Sequence, residues 1–135
     1  MADRDAAGLS PAQLAFVSGD ARQADWPKPE GRPADAIRFK SVLHDWDIGS
    51  VRNRLVQAAS YLLPGAAVMI CERGPVEDEQ DISVAALAAN LVFSPFYRAP
   101  AEYVAILDDL GLRVEDVRCV KLDMTFNIVV ARVPS

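Results

Sequence analysis

The 135-residue chain has little of the residues that mark several large classes of protein. It contains one histidine and two cysteines, Cys71 and Cys119, which are far apart and do not have the spacing of zinc ligands. Both cysteines stand in apolar runs, which predicts buried, reduced thiols and no disulfide. This use of cysteine predicts a cytoplasmic protein without a metal site.

The chain also has no excess of basic residues and no long apolar run. Lysine and arginine number 14 against 19 aspartates and glutamates, a net charge of −5, which is unsuited to binding a phosphate backbone. No apolar stretch approaches the roughly 18 residues of a membrane span. Residues 1–10 carry charges and lack an apolar core, which predicts no secretory signal. We therefore expect neither a nucleic acid nor a membrane as partner.

Two common phosphate-binding signatures are missing as well. No glycine-rich G-x-G-x-G turn follows an N-terminal strand, and there is no P-loop. The composition itself is ordinary, with 51% hydrophobic and 24% charged residues, so we expect residues 1–135 to form a single globular domain.

Short apolar runs and helical periodicities alternate along the chain. The predicted strands are residues 14–17, 36–43, 66–71, 113–120 and 125–133. The predicted helices are residues 51–62, 82–93 and 101–110, of which residues 82–93 are apolar on all sides and therefore expected to be largely buried. Asp47 or Ser50 would cap the first helix, and Pro64 with Gly65 would stop it.

This order predicts an α/β fold with a mainly parallel sheet. Residues 66–71 are apolar without alternation, which is typical of a central strand buried on both faces. The last two strands, joined by a turn at residues 122–124, would add an antiparallel hairpin. An acidic segment, residues 74–80, is predicted to be a solvated loop.

His44 and Glu72 follow two of the predicted strands. Ligands in such folds bind beyond the carboxyl ends of the strands, so both side chains would lie at one edge of the sheet. A carboxylate that accepts a hydrogen bond from one imidazole nitrogen leaves the other nitrogen as a base. The alternatives are a structural histidine, and a Glu72 that pairs with Arg73 or faces solvent.

Three further side chains near strand ends are candidates for ligand contacts. Asp20 could accept from an adenine amino group or a ribose hydroxyl, or simply form a turn with Gly19. Trp46 could stack on a flat ligand or cover the sheet edge. Lys40 interrupts an apolar strand, so it either reaches a ligand or marks an exposed edge.

The segment K-S-V-L-H-D-W-D at residues 40–47 resembles the K-x-x-L-H-D-W segment of S-adenosylmethionine-dependent small-molecule O-methyltransferases. These include plant caffeate and flavonoid enzymes and bacterial polyketide-tailoring enzymes. Three other segments resemble that family in the same order: F-V-S-G-D at residues 16–20, L-P-G followed by the strand to Glu72, and residues 98–112. The resemblance covers nearly the whole chain and implies a partial Rossmann-like methyltransferase fold.

The resemblance also implies roles for individual residues. His44 would be the general base that deprotonates the acceptor hydroxyl, and Glu72 would orient it. Asp20, Lys40 and Trp46 would contact S-adenosylmethionine. The residues implied or suggested for the acceptor are Asp45, Phe93 and Tyr97, with Phe96 beside them, although an apolar helix face can equally be core.

The chain departs from the family pattern at three sites and lacks two of its parts. Tyr97 stands where such enzymes commonly have a second glutamate, Ala99 replaces a threonine, and Ala21-Arg22 replaces an aromatic pair. The glycine-rich cofactor turn and the helical dimerisation domain have no counterpart, so the chain would be the C-terminal, acceptor-side part of a catalytic domain and inactive alone. The alternative is a non-catalytic oligomerisation or ligand-binding module.

In the family that the chain resembles, two further strands of the sheet precede the segment matched here, and their absence would leave a sheet edge open. The predicted strand from Ala36 to Leu43 would lose a neighbour, and unpaired backbone groups are a template for pairing with another chain. We therefore expect either a homo-oligomer formed through this edge or a repacking of residues 14–17 against it.

Overall fold

The computed structural model describes residues 7–10, 12–15, 17–23, 25–27, 32–74, 83–121 and 125–135. Three predictions fall partly or wholly outside these ranges: Phe16 in the first predicted strand, most of the acidic loop, and the turn at residues 122–124. The described elements in chain order are β1 (Ala34–Lys40), α1 (Ile48–Ser60), β2 (Leu62–Arg73), α2 (Val84–Phe93), α3 (Pro100–Asp109), β3 (Arg113–Lys121) and β4 (Thr125–Arg132), with short 3-10 turns at Leu43–Asp45 and Ser94–Phe96.

The four described strands form one sheet in the order β1-β2-β4-β3. β1 and β2 are parallel, whereas β4 is antiparallel to both β2 and β3. The α/β class and the closing hairpin are thus confirmed. The described sheet is more mixed than the mainly parallel sheet that was predicted, because β4 inserts between β2 and β3.

The core lies where α1 and α3 pack on this sheet. Asp47 caps α1, as predicted, by accepting a hydrogen bond from the Ser50 amide at 3.0 Å. On the inner face of this helix, Val51 and Leu55 are fully buried. On α3, Tyr103 and Leu107 are equally buried, and Gly111, at φ +73°, ends that segment. Both helices therefore follow their apolar periodicity.

β2 begins earlier than predicted. Its first residue, Leu62, pairs with Ala34, and the pairing then shifts so that Ala67 lies opposite Ala36. Gly65 lies within this irregularity at φ +78°, a conformation that glycine tolerates. The helix α1 has already ended at Ser60, so Pro64 and Gly65 do not stop it as the sequence predicted; they lie at the irregularity within β2.

Three sequence predictions are wrong. Leu14, Ala15 and Val17 are not in a strand and do not pair with β1; Val17 is 63% exposed. α2 is not buried: Val84 and Leu91 are 85% and 80% exposed, because no described element packs on that side. Cys119 is an exposed free thiol on the edge strand β3, and Cys71 is free and half-buried.

Candidate active site

His44 lies on a tight turn beyond the carboxyl end of β1. Ser41, at φ +53°, turns the chain out of the strand, and its amide donates to the Cys71 carbonyl at 3.1 Å. Leu43–Asp45 then forms a single 3-10 turn, which buries His44 to 6% exposure. The histidine therefore stands at the sheet edge where the sequence predicted it, on a turn and not on the strand itself.

Glu72, near the end of β2, binds this turn at three points. Its Oε1 accepts hydrogen bonds from the backbone amides of Val42 at 2.8 Å and Leu43 at 2.9 Å. Its Oε2 lies 2.7 Å from Nδ1 of His44. The side chain is fully buried, so all three contacts are shielded from water. The alternatives of a pair with Arg73 or a solvent-facing Glu72 are thereby excluded.

This pairing decides which imidazole nitrogen is free. The two backbone amides can only donate, so they orient Glu72 as an acceptor, and Nδ1 of His44 donates to it. Nε2 is then the nitrogen with a free lone pair. Oδ1 of Asp45 lies 3.7 Å from Nε2, so a carboxylate stands near each of the two ring nitrogens.

Arg98 closes the turn from the opposite side. The buried guanidinium donates to the carbonyls of Leu43 at 3.2 Å, Trp46 at 2.6 Å and Phe96 at 3.0 Å. Its own carbonyl accepts from the Asn127 side chain at 3.4 Å. The carbonyls of Leu43 and Trp46 bracket His44, so Arg98 holds both ends of the turn that carries it.

Two aromatic rings form the wall beside the imidazole. Phe93 and Tyr97 meet His44 edge-to-face, with ring centres 5.1 Å and 5.6 Å away. The Tyr97 hydroxyl receives a long hydrogen bond, 3.4 Å, from Arg73 Nη1. The structure thus brings together five of the predicted residues: His44, Glu72, Asp45, Phe93 and Tyr97.

Tyr103 lies buried within the same core. Its hydroxyl has no hydrogen-bond partner in the described part of the chain. Burial raises the pKa of Tyr103 to about 12; the charge of Glu72 adds to the shift and Arg98 opposes it. The hydroxyl is therefore neutral in the physiological range.

The other three predicted residues do not join this group. Asp20 lines a separate cleft of about 320 Å³, whose walls are mainly apolar and include Trp26, Phe39 and Val42. Lys40 is exposed on β1, and Trp46 is half-buried against the core; neither lines the cleft. Their contacts with a cofactor stay predictions.

The chemistry of the cleft suits a flat, largely apolar group that carries a hydrogen-bond donor. Arg22 forms hydrogen bonds with Asp20 through its side chain and backbone, which lowers the pKa of Asp20 to about 2 and keeps the carboxylate an acceptor. The adenine end of S-adenosylmethionine has this character. The described residues therefore fit one end of that cofactor.

Within the described ranges, no cluster of metal-ligating side chains occurs, and no helix is long and apolar enough to cross a membrane. Sequence reasoning missed the roles of Arg98 and Arg73. The only available signal for Arg98 was its place in one of the family-like segments, because backbone carbonyls, which leave no trace in sequence, are its partners.

Comparison with known proteins places this geometry in a family. The profile of the O-methyltransferase domain family matches residues 4–113. This chain belongs to the O-methyltransferase family. A search of curated protein sequences gave no match.

Solved structures agree with that assignment. Human N-acetylserotonin methyltransferase, solved with S-adenosylmethionine, is 25% identical to this chain with a TM-score of 0.64. The match covers 91% of this chain and 34% of the human enzyme. The mitomycin 7-O-methyltransferase MmcR is 24% identical with a TM-score of 0.70, covering 98% and 38%. A family 2 O-methyltransferase from Planctomyces limnophilus, solved with apigenin, is 22% identical with a TM-score of 0.63, covering 84% and 33%. The chain thus spans little more than a third of the length of these O-methyltransferases.

Proposed function

We propose that this chain supplies the acceptor side of an S-adenosylmethionine-dependent O-methyltransferase, with His44 as general base. The contact between Glu72 Oε2 and His44 Nδ1 carries the proposal. It holds the ring in the tautomer that leaves Nε2 unprotonated, which a base requires.

The proposed reaction moves one methyl group and one proton. When bound, the cofactor supplies an electrophilic methyl group on a sulfonium. His44 Nε2 would take the proton that the acceptor hydroxyl loses when its oxygen receives that methyl group. The imidazolium that results lies between the carboxylates of Glu72 and Asp45, which stabilise its charge.

The cofactor and the acceptor would take different parts of the chain. Asp20 and the apolar walls of its cleft would hold the adenine end, with Lys40 and Trp46 as further contacts. Phe93 and Tyr97 would contact a small acceptor and hold it next to His44. Asp45, which lies beside the imidazole, would contact the acceptor as well. These aromatic edges suit a flat acceptor, aromatic or polyketide-like.

Reconstitution tests the general base. The chain alone is expected to bind S-adenosylhomocysteine weakly in calorimetry and to show no methyl transfer. The chain should then be mixed with the part of a related O-methyltransferase that lies outside the matched region. This mixture should bind S-adenosylhomocysteine and, when given S-adenosylmethionine, transfer methyl groups. In that mixture His44→Ala should abolish transfer and retain nucleoside binding, whereas Arg118→Ala, an exposed change on β3, should alter neither. Transfer by His44→Ala at the wild-type rate contradicts the assignment.

A non-catalytic binding or oligomerisation module is the second candidate. β1 has a sheet partner on one side only among the described strands, and an open edge pairs readily with another chain. This favours a homo-oligomer that pairs through β1; the cytoplasmic location of such an oligomer is proposed from the reduced cysteines that the sequence predicts. As protein concentration rises, the β1 amides that point away from β2 should become protected from hydrogen exchange. A monodisperse monomer in which those amides exchange freely contradicts the edge pairing.

A further inference from the structure

Arg73 is an incompletely paired cation beside the candidate base. It ends β2, directly after Glu72, and its Nη1 donates to the Tyr97 hydroxyl at 3.4 Å. Its Nε is buried and has no acceptor in the described part of the chain. A buried guanidinium N–H without a partner is unfavourable unless another molecule accepts its hydrogen bond.

Tyr97 connects this cation with His44. The tyrosine is 7% exposed, and its ring contacts the imidazole while its hydroxyl receives the Arg73 hydrogen bond. This contact supplies an oxygen acceptor but no carboxylate, so the guanidinium has no ion-pair partner among the described residues. Arg73 is therefore a fixed positive charge on the same wall as the base.

A second unpaired group lies close to this wall. Oδ1 of Asn90 is buried without a hydrogen-bond partner among the described residues. Asn90 precedes Phe93 by three residues on α2, so both lie on one side of the helix, and Phe93 contacts His44. Among the described residues, an unpaired donor on the arginine that contacts Tyr97 and an unpaired acceptor on the helix that carries Phe93 are thus linked to the two rings beside His44. Buried polar groups without partners are typical of a site that a polar ligand completes.

We propose that Arg73 binds a carboxylate or carbonyl oxygen of the acceptor, adjacent to the hydroxyl that His44 deprotonates. The inference rests on the proposed function and narrows the acceptor to an ortho-hydroxy aromatic acid or ketone. Nε and Nη2 of an arginine together form a side-on fork that matches two carboxylate oxygens, and Nε of Arg73 has no acceptor among the described residues. Tyr97 keeps that fork in place through Nη1.

Binding of simple probes to the intact chain tests this. Salicylate carries a carboxylate next to its hydroxyl, and phenol lacks it. In ¹H–¹⁵N NMR titrations, salicylate should shift the signals of the His44 ring and the Arg73 Nε–H, with an affinity at least about tenfold higher than that of phenol. Arg73→Met should remove this advantage and leave phenol binding unchanged.

Two further variants make the result specific. Arg73→Lys keeps the charge but not the fork, so it should retain only part of the advantage. Arg118→Met, an exposed arginine on β3 paired with Asp116, should behave like wild type. Equal affinities for salicylate in wild type and Arg73→Met, or for salicylate and phenol in wild type, overturn the proposal.

His44→Ala separates this inference from the proposed function. It should abolish methyl transfer in the reconstituted mixture and still bind salicylate through Arg73. If transfer persists in His44→Ala while Arg73→Met loses salicylate, the general base is wrong and the subsite stands. If transfer depends on His44 and salicylate binding ignores Arg73, the subsite is wrong.

Discussion

Nη2 of Arg98 lies 2.6 Å from the carbonyl oxygen of Trp46, and this contact fixes the end of the turn that presents His44. The same guanidinium reaches the Leu43 carbonyl on the other side of the histidine. The imidazole is thus held by Glu72 from β2 and by Arg98 from the segment before α3. Its position depends on two charged side chains that lie 26 residues apart in sequence and are both buried.

Arg98→Met should destabilise the chain. It leaves three carbonyls without their charged donor, and we expect a loss of about 2–4 kcal/mol in the free energy of unfolding. Urea unfolding measures this through the midpoint, at an unchanged slope. Arg52→Met is the matched control, because Arg52 forms an exposed ion pair with Asp109 and should cost at most about 0.5 kcal/mol. Equal losses for the two variants would mean that the Arg98 contacts do not hold the turn.

Glu72→Gln should change the tautomer of His44. The glutamine oxygen would continue to accept from the Val42 and Leu43 amides, so its NH₂ would face Nδ1 and require a lone pair there. The ring would then carry its hydrogen on Nε2 and lose its function as a base.

Because the chain has a single histidine, two-bond ¹H–¹⁵N correlations report this tautomer without ambiguity. The spectra should be recorded about two pH units above the ordinary imidazole pKa of about 6.5. Wild type and Glu115→Gln, an exposed change on β3, should both show the Nδ1–H form. An Nε2–H signal in wild type would refute the assigned orientation.

Tyr103→Phe should protect the fold at alkaline pH. The pKa of Tyr103 is raised to about 12 in the folded chain and is about 10 when unfolded, so between these values only the unfolded state loses the proton. The tyrosine contribution is therefore fully present below pH 10 and is lost as pH rises to about 12, by about 2–3 kcal/mol. Unfolding free energies of the two proteins should diverge over this window in favour of the phenylalanine. Parallel curves would contradict the burial of the hydroxyl.

Two leucines distinguish the buried helix from the exposed one. Leu107 on α3 is fully buried, and Leu107→Ala should cost about 2–5 kcal/mol. Leu91 on α2 is 80% exposed, so Leu91→Ala should change the free energy of unfolding by at most about 0.5 kcal/mol. A large loss for Leu91→Ala in a monomeric sample would contradict the exposed position of α2.

Much of the fold was predictable because its helices and strands follow local patterns of apolar residues. The spacing of Val51 and Leu55 places α1, and the apolar run ending at Cys71 places the central strand. The prediction failed where an apolar segment needs a neighbouring strand or helix to cover it. Leu14, Ala15 and Val17 belong to a run that is apolar enough for a strand, but they pair with no described strand. Helix α2 is apolar on all sides, yet no described element covers its exposed residues.

The chain has a single histidine, and it follows a predicted strand, while Glu72 ends the next one. Because the carboxyl ends of neighbouring parallel strands meet at one edge of the sheet, the sequence by itself determined the candidate base and its candidate carboxylate partner. The tertiary structure decided what holds them. The amides of Val42 and Leu43, the three carbonyls bound by Arg98 and the unpaired Nε of Arg73 are backbone and burial properties, which exist only once the chain is folded.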